Sequence, residues 1–212
     1  MATPYTPSLS RFRLRAAARR VGLSSGRGHA LPPVLIMTDP ERLPPLLVMD
    51  MALVPGWAIV YRHFGSPDRA EQASALRSFC DRNRLVFLVA NDPELARHVR
   101  ADGVHWPEKA AHRAKRWHKC FSMMTVSWHG RRPPRALTIG MDGVLVSTVF
   151  PSQSPSASEA MGAVQFRSLA RSTEMPIYGL GGINARNAGR ISSISRLAGI
   201  DGFKCLVRRK GA

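Results

Sequence analysis

Cysteine is scarce in this chain. There are three, Cys80, Cys120 and Cys205, with no CxxC pair and no metal-type spacing among them. That excludes a disulfide framework and a zinc ribbon, and it favours a reduced, cytoplasmic setting. Long apolar runs are also lacking. Charges or prolines break each one well short of the ~20 residues that a membrane span needs, so no membrane partner is expected. Acidic residues are few, 14 against 31 Lys and Arg, which leaves a formal charge of +17. The positive charge is spread along the chain, and no zinc-finger or RNP-type motif accompanies it. Nucleic acid is therefore not the expected partner. A freely solvated Arg-rich surface and attraction of anionic small molecules into a cleft both remain open. No Gly/Ser linker divides the chain, and 212 residues at 44% hydrophobic content suffice for one large core.

The first acidic residue is Asp39. Before it, "RFRLRAAARR" has the helix formers of a short basic helix. The Arg- and Ser-rich composition is shared with organellar transit peptides, but the apolar stretch of a secretory signal is missing. Residues 1–32 are read as a basic N-terminal extension, and 33–212 as the main domain.

From Pro33 a rhythm begins. "PVLIMTD", "WAIVYR", "RLVFLVAN", "GVHW", "CFSMMTVSWH", "GVLVSTVF", "PIYGLGG" and "GFKCLV" are short apolar runs separated by helical or mixed segments. Ser66 and Pro67 mark one helix start, and Asp92 with Pro93 another. "NARNAGRISSISRLAG" reads as the helix before the last strand. Continuous apolar strands alternating with helices imply parallel strands buried on both faces. Eight such units indicate the α/β class and a (β/α)8 TIM barrel, with an open doubly wound sheet as the alternative. After "GFKCLV" only "RRKGA" remains, so the C-terminal unit is shortened. The N-terminal helix or a partner subunit is left to cover the gap, and a homo-oligomer is compatible with this.

Gly181 and Gly182 close the seventh strand. They form either a tight turn or a cradle in which backbone, free of Cβ, approaches a phosphate. Barrel phosphate sites commonly follow strands seven and eight, and Asn184 is placed to cap the next helix. Arg62 is the clearest cation at a strand end. Asn91 and Asp92 end the third strand, where a turn and a helix cap explain them equally well. His105 reads as structural, and Tyr178 and Met124 as packing residues.

Taken in order, "LIMTD", "YR", "ND", "ADGVHWP", "SWH", "VFPSQS", "YGLGGI" and "AGIDGF" resemble the thiamine phosphate synthase superfamily, which includes the TenI-like thiazole tautomerases. The resemblance runs from about Pro33 onward and implies a (β/α)8 barrel that binds a phosphorylated thiazole. It places the catalytic histidine of the tautomerase branch at His129. His is suited to taking and returning a proton near neutral pH. It also implies substrate contacts from Arg62, Asn91, Asp92, Ser127, Ser152 and Ser154, and phosphate contacts from Gly181 and Gly182. The synthase pattern departs here. Val60 and Phe64 stand where it has Gln and Lys, Ala110 where it has a second Mg2+-binding Asp, and Pro155 where it has Lys. A pyrophosphate leaving group needs Mg2+ and cations to absorb its charge. The resemblance thus implies a metal-independent thiazole tautomerase without cofactor. The alternatives are a Mg2+-dependent thiamine phosphate synthase, with Glu108 taking a metal role, and a non-catalytic or regulatory protein that binds a phosphorylated ligand.

Overall fold

The computed structural model describes residues 6–24, 31–130, 133–154 and 157–208. Its strands are β1 (Val34–Met37), β2 (Ala58–Tyr61), β3 (Val86–Ala90), β4 (Gly103–Trp106), β5 (Met123–Trp128), β6 (Gly143–Val146), β7 (Ile177–Gly179) and β8 (Arg196–Gly199). They pair in parallel, in chain order, into a closed barrel. Closure is made by β1 against β8, with Val34 opposite Leu197 and Ile36 opposite Gly199. The barrel is the one that the apolar rhythm implied, and closure excludes the open sheet.

Side chains alternate along each strand. Leu35, Val60, Leu88, Leu145 and Tyr178 belong to one cluster, which fills the barrel. Val34, Ile59, Phe87, Met124 and Val126 belong to the other, which packs against the surrounding helices. Both faces of the strands are thereby buried, which is why they read as unbroken apolar runs. Tyr178 is a packing residue as expected, and its hydroxyl donates to Pro32 O (2.8 Å).

The connecting helices are α2 (Pro45–Met49), α3 (Arg69–Asn83), α4 (Pro93–His98), α5 (Arg135–Thr138) and α6 (Gly162–Arg171). Short 3₁₀ helices cover Glu108–Arg116, Ala188–Arg190 and Asp201–Leu206. α3 begins two residues later than the Ser66 signal suggests, with Asp68 at the cap position. Ser66 instead hydrogen-bonds the Asp68 carboxylate.

The basic segment near the N-terminus forms α1 (Pro7–Ser24), with proline at its start, where a missing N–H costs nothing. Residues 1–5 and 25–30 of the extension lie outside the described residues. Leu14, Ala17, Ala18 and Val21 are buried. Their i, i+3, i+4, i+7 spacing puts them on one helix face. That face packs against β8 and the 3₁₀ helices on either side of it. Arg11 donates to the carbonyls of Cys205 and Val207, and Arg15 to Ala52 O. α1 thus covers the outer flank of β8.

Two expectations are corrected. The eighth strand is Arg196–Gly199, and "GFKCLV" is part of a 3₁₀ helix. The reason is visible in its burial: Phe203 and Leu206 are buried three residues apart, a helical spacing. The segment before β8 is not a continuous helix either. Asn187 Oδ1 accepts from Asn184 N, and Asn184 Oδ1 from Arg186 N. Both side chains also donate to Gly182 O. These local bonds compete with helix formation, and only Ala188–Arg190 coils.

Candidate active site at the barrel mouth

A cavity of about 520 Å³ opens beyond the C-terminal ends of the strands. Of the residues singled out by sequence, Arg62, Ser127, His129, Ser152, Ser154, Gly181 and Gly182 line it. Asn91 and Asp92 do not. They border a separate hollow beside the 3₁₀ helix Glu108–Arg116. Asp92 acts there as the cap of α4, with Oδ1 accepting from Leu95 N (2.9 Å) and Oδ2 held by Arg69. Asn91 takes a left-handed backbone conformation, with φ of 52°.

Arg62 follows β2 directly. Its N–H donates to Thr38 Oγ1 (2.9 Å), while its guanidinium has no hydrogen-bond or ion-pair partner among the described residues. Burial pulls its pKa down, and Asp39 only partly offsets this. A guanidinium nonetheless stays charged. An unpaired cation at a cavity wall is costly unless a ligand or water satisfies it.

The β4–β5 side supplies the side-chain chemistry. His105 is buried and also borders the cavity, a position that the sequence reading undervalued. Its Nδ1 is 2.9 Å from Thr125 Oγ1 and its Nε2 2.9 Å from Ser127 Oγ. Burial, aided by the Arg62 charge, pushes its pKa down to about 3, so the ring is neutral at pH 7. Neutral His105 can orient the Ser127 hydroxyl but is a poor base. His129 stands higher, just past β5, with its side chain 47% exposed and Nδ1 3.3 Å from Glu108 Oε2.

The β7–β8 side is built from backbone. Gly181 and Gly182 have φ of 89° and 63°, in the left-handed region. A Cβ on Gly182 would lie 2.4 Å from Pro151 O and 2.6 Å from Phe150 O. The glycines therefore serve first to let the loops after β6 and β7 pack closely, with Phe150 N donating to Gly181 O (3.1 Å). The amides of Gly181, Gly182 and Ile183 donate to no other group among the described residues, and all three residues line the cavity. The helix start expected behind Asn184 is absent, so no helix dipole adds to these amides. Asp201 borders the same region, but Arg42 and Lys204 occupy its two carboxylate oxygens. Arg42 also binds Asp39 (2.7 Å).

A family model described as thiamine monophosphate synthase matches residues 36–204. The chain belongs to that family. The thiamine-phosphate synthase of Alcanivorax borkumensis is 29% identical over 176 residues, 77% of this chain and 80% of that protein. The thiamine-phosphate synthase of Prochlorococcus marinus is 25% identical over 176 residues, and the chain spans about half of its length (50%, with 79% of this chain covered). Among solved structures, the thiamine phosphate pyrophosphorylase from Pyrococcus furiosus superposes with a TM-score of 0.68 at 20% identity, covering 84% of this chain and 92% of that one. The last of these shows the fold.

The departures from the synthase pattern now have places. Val60 packs inside the barrel, and Phe64 is exposed beneath the Arg69 guanidinium (5.6 Å). Ala110 lies on the 3₁₀ helix after β4. Pro155 lies outside the described residues. The donor set does not fit Mg2+ as the synthase pattern would hold it. Both Asp92 oxygens are engaged, Ala110 has no side-chain oxygen to offer, and Glu108 faces His129. Among the described residues no group of three or more His, Cys, Asp or Glu is gathered in ligand geometry.

Proposed function

We propose that this thiamine-biosynthesis family member binds a phosphorylated thiazole at the barrel mouth and moves a proton on its ring, without a metal or other cofactor. The phosphate is met by the amides after β7, and the ring's polar groups by Arg62 and Ser127. Ser152 and Ser154 close over the ligand from the loop after β6. His129 takes the proton from one ring position and returns it at another. The observation that carries this reading is the coincidence, in one cavity, of an unpaired guanidinium, a row of unengaged amides and a carboxylate-bound histidine. A cavity of this kind accepts an anion and offers an acid–base group beside it.

The relatives named thiamine-phosphate synthase favour a second reading. In it the chain joins a pyrimidine pyrophosphate to the thiazole phosphate, with Glu108 turned to a metal. One experiment separates the two. The protein is incubated with thiazole carboxylate phosphate, with and without the pyrimidine pyrophosphate and Mg2+, and products are identified by mass spectrometry and NMR. The proposal expects the isomerised thiazole phosphate in every arm. Thiamine phosphate formed only with Mg2+ and the pyrophosphate would replace it with the synthase. Binding without product would leave a regulatory or carrier role.

A further inference from the structure

We propose that Glu108 is a positioning residue that holds the His129 imidazole in the Nδ1–H tautomer, leaving Nε2 as the proton acceptor. The inference rests on the isomerase reading of His129 for its catalytic consequence, but its geometry stands apart from it. β4 and β5 are neighbours, with His105 opposite Thr125 and Trp106 opposite Val126. One residue beyond β4 the chain turns at Pro107 into the 3₁₀ helix, which presents Glu108 at its first position. One residue beyond β5 comes His129. The two side chains meet, with Oε2 3.3 Å from Nδ1, and His129 lines the cavity.

An ionised carboxylate only accepts hydrogen bonds. A neutral imidazole carries one donor and one acceptor nitrogen, and the bond made by one fixes the role of the other. Glu108 therefore requires the hydrogen on Nδ1. No other carboxylate competes along this stretch, since the chain has no acidic residue from Lys109 to Met141. The backbone after His129 is also constrained. A Cβ on Gly130 would lie 2.6 Å from the Trp128 ring, so the backbone after His129 lies close against that indole. In the proton step, Nε2 takes the ring proton while Nδ1–H stays on Glu108. The carboxylate stabilises the imidazolium until the proton is returned, and it is not itself protonated.

The test uses the full chain labelled with 15N-histidine, recorded without ligand at mildly alkaline pH. Long-range proton–nitrogen spectra report which ring nitrogen of His129 bears hydrogen. Wild type is expected in the Nδ1–H form. Glu108→Ala is expected to shift His129 toward the Nε2–H form, and Glu108→Gln to shift it in part, because the amide can donate to Nδ1 as well as accept from it. In turnover, Glu108→Ala should lower kcat by about tenfold with KM little changed, a fraction of the hundred- to ten-thousand-fold that general acid–base catalysis typically contributes. The buried His105 signals serve as a fold control, and where they move in Glu108→Ala the wild-type spectrum decides alone. An Nε2–H wild type, or an unchanged His129 spectrum in folded Glu108→Ala, overturns the proposal. Because the spectra need no substrate, this failure is distinct from failure of the isomerase reading, which the product assay decides.

Discussion

The two sides of the barrel mouth are made differently. On the β7–β8 side the cavity wall presents peptide amides, and the side chains that matter to its shape are the absent ones of Gly181 and Gly182. On the β4–β5 side the cavity wall presents side chains, His105, Ser127 and His129 with Glu108 beside it, carried on two regular adjacent strands and the turns that follow them. The backbone side is fixed by packing. Loop carbonyls fill the space beside Gly182, and α1 braces β8 from outside. The side-chain side is fixed by hydrogen bonds between neighbouring strands. Substitutions should therefore damage the fold on the first side and the chemistry on the second.

The largest effect is expected at Gly182. Gly182→Val would force a β-branched residue into the left-handed region against two carbonyls. It should destabilise the chain by about 4 kcal/mol or more, combining backbone strain with overpacking. Denaturant titration measures this, and a folded variant of near-normal stability would show that the backbone side is not fixed by this packing. Leu14→Ala comes next. It empties a fully buried position on α1 and should cost about 3 kcal/mol, with loosening read by hydrogen exchange in β8 and residues 188–206.

His105 tests the other side through pH. Its folded pKa of about 3 lies below the unfolded value near 6.5. As pH falls from 6.5 toward 3, the unfolded chain takes up a proton that the folded chain refuses. Stability should drop across that window by up to about 1.4 kcal/mol per pH unit from this group alone. His105→Gln should flatten the slope between about pH 6 and 4 in urea melts, and an unchanged slope would remove His105 as its source. The smallest effect is expected at Asp39. Burial raises its carboxyl pKa, but the hydrogen bonds and charge of Arg42 outweigh this and bring it to about 2. Its contribution is complete above the ordinary carboxylate value of 3.8 and is lost as pH falls through about 2. Asp39→Asn should cost about 1 kcal/mol or less at neutral pH, with the difference closing in acid.

Much of this architecture was legible in the chain, for physical reasons. Strands buried on both faces write themselves as unbroken apolar runs, so β1 to β7 stood out. β8 did not, because "RLAG" is short and holds a charge and a glycine, while "GFKCLV" looks more apolar and is a 3₁₀ helix. The glycine pair was legible as a site for close approach. What approaches within the protein is the loop after β6, which the linear sequence does not reveal. Asp92 carried two signals at once, and its cap geometry with Pro93 is what the fold uses. His105 was passed over because a histidine in an apolar strand usually packs. Only the register of β4 against β5 brings Ser127 and Thr125 to its two nitrogens. The meeting of Glu108 and His129 is likewise a product of strand adjacency across 21 residues of chain.

In the proposed function His129, on the side-chain side, performs a proton transfer on a ligand anchored by the backbone side. Its most direct test is the rate and affinity of His129→Asn with thiazole carboxylate phosphate. Asn keeps a polar group of similar reach but cannot cycle a proton. The account predicts a fall in kcat of about a hundred- to ten-thousand-fold, with the dissociation constant for the phosphorylated ligand nearly unchanged. A folded His129→Asn that isomerises the ligand at near the wild-type rate would contradict it.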